Sequence, residues 1–246
     1  MKRDERSHQA DPSGLQTLER FAKADHFNHW LFQTIEPFCK GHVLEAGSGI
    51  GNLSKFFLKN KFTLTVSDLR AEYCSVLKEK FSAEPGLAGV ETIDLSREDF
   101  ASEYAALLGR FDTVIALNVV EHIEDDAAAV RNCCLLLRPG GRLVILVPAF
   151  QLLYNPFDVE LGHFRRYNRY SLKKLMQKEE LSVVRCWYFN ALGILGWAVN
   201  GWLLGKKLIP QTQLALFDRL VPLAKLFDRL GFYSIGLSVI AVGDKP

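Results

Sequence analysis

Along most of the chain, short apolar runs with the length of a strand alternate with longer segments in which apolar residues recur at helical spacing. Short apolar runs fit buried strands and lie at 42–46, 62–67, near 90–93, 111–117 and 142–147. Between them, apolar residues recur at helical spacing at 50–59, 70–82, 98–108 and 125–137. Strands that alternate with helices in this way predict an α/β fold with a doubly wound parallel sheet.

The two ends of the chain depart from this alternation. Residues 15–38 carry apolar groups at helical spacing, which predicts one or two helices before the first strand. After Pro148 comes a loop rich in aromatic residues and arginines, and then a helix that begins near Ser171. Two further strands are expected near 182–189 and 235–243, with a long apolar insert between them.

Composition and charge narrow the class of protein. With 246 residues, of which 48% are hydrophobic, the chain is long enough for one large α/β domain with an elaboration. A net charge of +2 gives no general attraction to nucleic acid, so we expect no nucleic-acid partner. Five scattered cysteines indicate reduced thiols, and the polar N-terminus has no apolar segment typical of a secretory signal. We therefore expect a cytoplasmic protein with a mobile tail over residues 1–13.

Three glycines follow the first predicted strand in the sequence VLEAGSGIG. Their spacing is Glu45-x-Gly47-x-Gly49-x-Gly51, which predicts a turn where the backbone can approach a ligand closely. A dinucleotide-binding turn would place its third small residue where Asn52 stands. Glu45 would also repel a pyrophosphate, whereas it suits a cationic ligand.

Acidic residues close the second and third strands. Asp68 comes about 20 residues after the glycines, where an acid can accept hydrogen bonds from both ribose hydroxyls of a nucleoside. The alternative is that Asp68 caps the helix that begins near Arg70. Asp94 could meet an adenine amino group while Leu95 packs on the ring, and an ordinary turn role for Asp94 is the alternative.

In this order and spacing, the motifs resemble the class I S-adenosylmethionine (SAM) methyltransferases, in particular the type 11/12 and ubiquinone-methyltransferase-related groups. The glycine turn is similar to motif I, and FDTVIALN is similar to motif IV, whose strand ends at Asn118 over the methionine half of the cofactor. LRPGGRL at 137–143 resembles the turn before strand five. The resemblance covers residues 43–147. It implies a Rossmann-like sheet of seven strands in the order 3-2-1-4-5-7-6, with an antiparallel strand seven at 236–244.

Pattern and resemblance together predict a single SAM-dependent methyltransferase domain, with N-terminal helices at 14–40, a cofactor-binding core at 41–150 and a helical cap insert at 190–232 between strands six and seven. The resemblance implies SAM as the cofactor, and the ammonium and sulfonium groups of SAM suit an acidic site. The residues expected to line this site are Glu45, Gly47, Ser48, Gly49, Gly51, Asn52, Asp68, Leu69, Asp94, Leu95 and Asn118.

A metal site is not expected. In the ubiquinone-type branch an acid stands where this chain has Asn118, and with the Glu-His pair that follows it can bind a metal. Here Glu121 and His122 are present, but two ligands on one short segment are too few for a metal site. The sequence therefore favours a capping or loop-packing role for this pair.

The segment DVELGHFRRYNRYSL at 158–172 resembles a loop of bacterial SAM methyltransferases grouped with cell-envelope or glycan biosynthesis. His163 could act as a general base, Arg166 could bind a carboxylate or phosphate, and Tyr167 could close over a ring. These three are the predicted catalytic residues. Alternatively, the arginines of the loop pair with Asp158 and Glu160.

The expected function is methyl transfer from SAM to a small-molecule, lipid-linked or glycan-linked acceptor. In 190–232, Asn200 and the lysines at 206–207 make the apolar stretch too short for a membrane span of about 20 residues. We expect residues 190–232 to form a helical cap over the acceptor pocket, with the apolar face of 214–230 buried, and contact with a membrane surface is the alternative. A nucleotide-dependent oxidoreductase and a SAM-binding partner protein without catalytic activity remain as alternatives.

Overall fold

The computed structural model describes residues 12–206 and 208–246. Most of the expected N-terminal tail, residues 1–11, lies outside the described residues, as does Lys207. The last two residues assigned to the tail, Pro12 and Ser13, belong instead to the first helix. Proline is favoured in the first turn of a helix, where its missing N–H costs no hydrogen bond.

Seven strands form one sheet in the order β3-β2-β1-β4-β5-β7-β6, which confirms the expected topology. The strands are β1 (His42–Ala46), β2 (Thr63–Asp68), β3 (Leu87–Thr92), β4 (Phe111–Leu117), β5 (Leu137–Pro148), β6 (Ser182–Phe189) and β7 (Ser238–Asp244). Neighbouring strands are parallel except β7, which pairs antiparallel with β5 and β6. Chain order reverses between β1 and β4, and ligands of open α/β sheets bind beside the carboxyl ends of the strands at such a point.

Helices cover both faces of the sheet. They are α1 (Pro12–Ala22), α2 (Asp25–Ile35), α3 (Ser54–Lys59), α4 (Ala71–Phe81), α5 (Phe100–Glu103), α6 (Asp126–Leu136), α7 (Pro156–Leu161), α8 (Arg169–Lys178), α9 (Gly193–Ala198), α10 (Gln211–Arg219) and α11 (Val221–Leu230). A π-helical turn, Val199–Leu203, extends α9.

Three local expectations were wrong. The helix expected from residue 50 begins at Ser54, because Gly51 has a φ of +77° that no α-helix contains. The turn expected at 137–141 is the irregular start of β5, where the pairing with β4 shifts register. The helix expected at 98–108 is broken into α5 and a 3₁₀ turn at Ala105–Leu107.

Two hydrophobic clusters among the described residues lie on opposite faces of the sheet, because successive strand residues point to opposite sides. In β4, Val114 belongs to one cluster and Ile115 to the other, and both side chains are fully buried. This two-sided burial explains why β4 has a nearly continuous apolar sequence rather than an alternating one.

The insert between β6 and β7 is helical, as expected, but its amphipathic helices face the opposite way. The apolar side chains that were expected to be buried are at least 39% exposed, and they are Leu216, Leu220, Leu223, Phe227 and Leu230. The buried residues of α10 and α11 are instead Leu214, Asp218, Val221, Ala224 and Asp228. We call the first set the outward apolar face.

Hydrogen bonds to backbone N–H groups explain this orientation. The Asp218 carboxylate accepts a bond of 2.8 Å from the Phe27 N–H at the start of α2, where helical N–H groups have no partner within the helix. The Asp228 carboxylate accepts bonds of 2.7 and 2.8 Å from the N–H groups of Asn190 and Ala191. Burying these two acids turns the outward apolar face of the same helices toward solvent. None of the helices in the described ranges is long and apolar enough to cross a membrane.

Candidate functional site

The glycine turn joins β1 to α3 at the carboxyl edge of the sheet, beside the end of β4. Gly47 has a φ of +74°, and a Cβ atom built on it would lie 2.4 Å from Cγ2 of Val119. Only glycine therefore allows the turn to pass this closely to the segment that follows β4. The turn and the β4 end consequently form one continuous surface.

Two buried carboxyl groups flank the glycine turn. Glu45 is 5% exposed, and its Oε2 accepts a hydrogen bond from the Ser54 hydroxyl. Asp68 is 8% exposed, and its two oxygens accept bonds of 2.9 and 3.0 Å from the N–H groups of Gly49 and Arg70. The bond to Gly49 ties the end of β2 to the glycine turn. The bond to Arg70 closes a turn before α4, whose N-cap is Arg70 and which has no side-chain cap bond, so Asp68 does not take the alternative capping role.

Burial makes this pair of acids costly to ionise. It raises the pKa of Glu45 to about 7, although the Ser54 hydrogen bond acts in the opposite direction, and the negative charge of Asp68 raises it further. Burial also raises the pKa of Asp68, against the hydrogen bonds from Arg70 and Gly49. A ligand cation between the two groups would favour both carboxylates. This fits the ammonium and sulfonium groups of SAM.

The other predicted cofactor residues divide between an accessible surface and the interior. Gly47 and Asn118 are exposed, and Leu69 and Asp94 are half-buried. Ser48 is buried and donates to the Glu45 carbonyl, while Leu95 is 4% exposed in a hydrophobic cluster. Ring packing by Leu95 and cofactor contact by Ser48 stay predictions.

Helix α1 lies against the glycine turn, a contact that the sequence did not indicate. A Cβ atom on Gly49 would meet the Leu18 side chain at 2.9 Å, and the Asn52 side chain donates to the Leu18 carbonyl over 2.8 Å. Asn52 thus contacts α1 in this structure, and its contact with a cofactor stays a prediction. An amphipathic helix carries no local signal of the loop it will cover.

The loop at 158–168 is organised by one buried carboxylate, Asp158. Its Oδ1 lies 2.8 Å from both His163 Nδ1 and Arg166 Nε, and its Oδ2 accepts a bond of 2.9 Å from the Asn155 N–H. Against the effect of burial, the bonds from His163 and Arg166 hold the pKa of Asp158 below its usual value. The expected alternative, in which a loop arginine pairs with Asp158, is present for Arg166.

The three predicted catalytic residues differ in how their polar side-chain atoms are bonded within the protein. The Arg166 side chain is fully buried, donates to the Ala149 carbonyl and lies 4.6 Å from the centre of the Trp197 ring. Tyr167 is 4% exposed and its hydroxyl bonds to Asp126 at 2.9 Å. His163, by contrast, uses Nδ1 to bind Asp158, which leaves Nε2 for another partner.

His163 also meets the Glu-His pair that follows β4. Its ring centre lies 4.6 Å from that of His122, and the Phe164 N–H donates to the Glu121 carbonyl over 2.9 Å. Burial raises the pKa of Glu121 to about 8 and lowers that of His122 to about 3, the latter reinforced by the neighbouring His163. Glu121, His122 and His163 therefore form one group from two chain segments, in which Glu121 is buried and the histidines are partly buried.

Sequence comparisons identify relatives of this chain. Residues 16–185 match a family model described as a methyltransferase domain. The chain is 37% identical over 111 residues to a ubiquinone biosynthesis O-methyltransferase of Xanthomonas axonopodis pv. citri, covering 45% of this chain and 44% of that protein. It is 35% identical over 111 residues to a highly reducing polyketide synthase of Strobilurus tenacellus, covering 42% of this chain and 4% of that one. The matched region thus spans less than half the length of these relatives.

Solved structures share the fold. A SAM-dependent methyltransferase from Archaeoglobus fulgidus superposes with a TM-score of 0.56 at 14% identity, covering 89% of this chain and 94% of that one. Phosphoethanolamine N-methyltransferase 2 of Haemonchus contortus, solved with SAM, gives a TM-score of 0.58 at 17% identity, covering 89% and 52%. At these identities the likeness concerns the fold alone.

We expect Asp68→Ala to weaken binding of S-adenosylhomocysteine, the demethylated product of SAM, by about 1–3 kcal/mol, because hydrogen bonds to a charged group are lost. Isothermal titration calorimetry measures the effect. Asp99→Ala, which removes an exposed acid on a neighbouring loop, should leave the affinity unchanged. Tight binding of NADH without any binding of the product would contradict the assignment.

A second prediction concerns pH. Glu45 has a raised pKa of about 7 in the free protein, so its negative charge is present above pH 7 and is lost as the pH falls below it. Affinity for the ammonium-bearing product should therefore fall between pH 8 and pH 6, by at most about tenfold per unit below the pKa. In Glu45→Gln, the affinity for the product should depend much less on pH. An equal slope in both proteins would show that another group titrates.

Proposed function

Because this chain belongs to the methyltransferase domain family, whose class I members use SAM, we propose that it transfers the methyl group of SAM to a small-molecule or lipid- or glycan-linked acceptor. When bound, SAM supplies a methyl group on a positively charged sulfur. The residues of this chain bind and orient the reactants, and they exclude water from the reacting atoms.

The observation that carries this proposal is the pair of buried acids beside a glycine turn. Glu45 and Asp68 lie where a nucleoside with a cationic tail would place its amino group and its ribose, and Gly47 leaves room for the backbone to approach it. A dinucleotide would bring two negative phosphates to the same acids. For this reason an oxidoreductase is the weaker candidate.

We assign the acceptor side of the reaction to the loop at 158–168. Asp158 fixes the orientation of the His163 ring, so His163 is the residue through which the loop acts on the acceptor. Arg166 and Tyr167 act as positioning residues, since Arg166 Nε and Nη1 bind Asp158 and Ala149 and the Tyr167 hydroxyl binds Asp126, while the buried Arg166 Nη2 has no partner in the described residues. The loop is attached to the Glu121 backbone at the carboxyl end of β4, the same edge that carries the glycine turn.

The insert at 190–232 favours a lipid-linked acceptor over a freely diffusing one. Its outward apolar face is solvent-exposed in the described structure, and exposed contiguous apolar surface usually marks an interaction site. The segment contains five Lys and Arg residues but only two Asp residues, both of them buried. Exposed leucines together with an excess of Lys and Arg side chains suit binding to an anionic lipid surface.

Methyl transfer can be tested with SAM carrying a radioactive methyl group. Full-length protein should transfer label to a compound in a chloroform–methanol extract of the source cells, and Asp68→Ala should lower the rate at subsaturating SAM. His163→Gln should lower turnover more than product binding. Tight binding of S-adenosylhomocysteine without label transfer to any lipid or aqueous fraction would support the SAM-binding partner protein instead.

The membrane contact has its own test. We expect the protein to co-sediment with vesicles containing phosphatidylglycerol, and Leu223→Glu with Phe227→Glu to reduce the bound fraction severalfold, because charges are costly in the acyl region. Both side chains are at least 44% exposed, so folding should be preserved. Val184→Glu, at an exposed position on β6, is the matched control. No vesicle binding, or a dimer in which the face is covered, would contradict the proposal.

A further inference from the structure

We propose that Glu121, His122 and His163 form a binding site for one divalent transition-metal ion. A ligand atom from each residue lies within 4.8 Å of the others. Glu121 and His122 lie in the 3₁₀ turn Val120–His122 after β4, and His163 follows α7. The expectation of no metal rested on two ligands in one segment, whereas folding brings a third from a distant loop.

The Glu121 side chain provides the strongest reason for a cation. It is 0% exposed, and neither of its carboxylate oxygens has a hydrogen-bond partner among the described residues. A buried carboxyl without partners is unfavourable unless it is protonated or lies against a positive charge. The nearby Arg166 supplies part of that charge and acts to lower the pKa of Glu121, but its Nε is paired with Asp158 at 2.8 Å and its guanidinium forms no hydrogen bond with the Glu121 carboxylate.

The two imidazoles are held as metal-binding histidines are usually held. Such histidines donate one ring N–H to a carboxylate or a backbone carbonyl, and this fixes the other nitrogen toward the metal. His163 has Asp158 as this partner, with Nδ1 at 2.8 Å. His122 has the backbone of Leu161. Both rings are therefore oriented before any ion binds.

The ligand types indicate the class of metal. Two imidazoles and one carboxylate suit Zn²⁺, Fe²⁺ or Mn²⁺, whereas Mg²⁺ and Ca²⁺ prefer sites made of oxygen. Ligand atoms of a tetrahedral zinc ion lie ~3.3 Å apart, so these side chains must approach one another by ~1.5 Å at most. The exposed Asn118 takes no part, and the site therefore does not depend on an acid at that position.

Three protein ligands leave at least one position open, as in catalytic zinc sites. An oxygen of the acceptor could occupy that position and would become more acidic there. This consequence rests on the proposed methyl transfer, but the binding of the ion does not. His163 would then act on the acceptor as a metal ligand rather than as a free base.

Metal binding can be measured without SAM or acceptor, so its failure is separate from failure of the proposed function. Chelator-treated full-length protein is titrated with Zn²⁺ by calorimetry and with Co²⁺ by visible absorption. We expect one equivalent of either ion, and Co²⁺ bands typical of low-symmetry nitrogen and oxygen ligation. Glu121→Gln and His163→Gln should each raise the Kd at least about tenfold, the order seen even when supporting residues are lost.

His29→Ala is the matched control, because His29 is exposed and stacks on Phe56 away from this group. It should bind Zn²⁺ as the unaltered protein does. Thermal melting without metal verifies that each variant is folded. No stoichiometric ion at millimolar Zn²⁺, or an affinity that both substitutions leave unchanged, would overturn the proposal. So would Glu121→Gln raising the metal-free melting temperature without altering Zn²⁺ affinity, since Glu121 would then be a buried neutral acid.

Discussion

Burial of carboxyl groups at one edge of the sheet is the constraint on which the whole site depends. Glu45, Asp68 and Glu121 all lie near the carboxyl ends of adjacent strands, because parallel strands deliver their C-terminal residues to the same edge. Asp68 is compensated by two backbone N–H groups and Glu45 by the Ser54 hydroxyl, whereas the Glu121 oxygens accept no hydrogen bond in the described residues and are compensated only by the charge of Arg166. The stabilisation of the buried carboxylate therefore becomes weaker from Asp68 to Glu45 to Glu121, and a bound cation should stabilise Glu121 the most.

Most of the fold could be predicted because its signals are local. Each strand is a short apolar run, and the resemblance of the motifs supplied the strand order that no single run contains. The outward apolar face could not be predicted, since amphipathic spacing separates two faces of a helix without deciding which is buried. That choice depends on Asp218 and Asp228, whose partners are the N-terminus of α2 and the start of the insert.

The candidate site, like the fold, could be predicted only where its signals are local in the sequence. The glycine turn and Asp68 can be recognised because sequence spacing fixes their geometry. The group around His163 cannot, because Glu121 and His163 are 42 positions apart in the sequence and meet only when the loop binds the end of β4. One local signal was present but unused: Asn155 and Asp158 form a capping box, which starts α7 and buries the carboxylate that orients His163.

Trp197 connects the insert at 190–232 to the residues around His163 through direct contacts. Its indole N–H donates to the Leu153 carbonyl over 3.2 Å, and its ring lies 4.6 Å from the Arg166 guanidinium. Arg166 in turn shares the Asp158 Oδ1 atom with His163. Each contact in this series is buried or half-buried, so a shift of α9 would have to displace Arg166 or break its pairing with a fully buried acid, which is costly. The outward apolar face is linked to this series through Asp228 of α11, which accepts hydrogen bonds from the N–H groups of Asn190 and Ala191 just before α9.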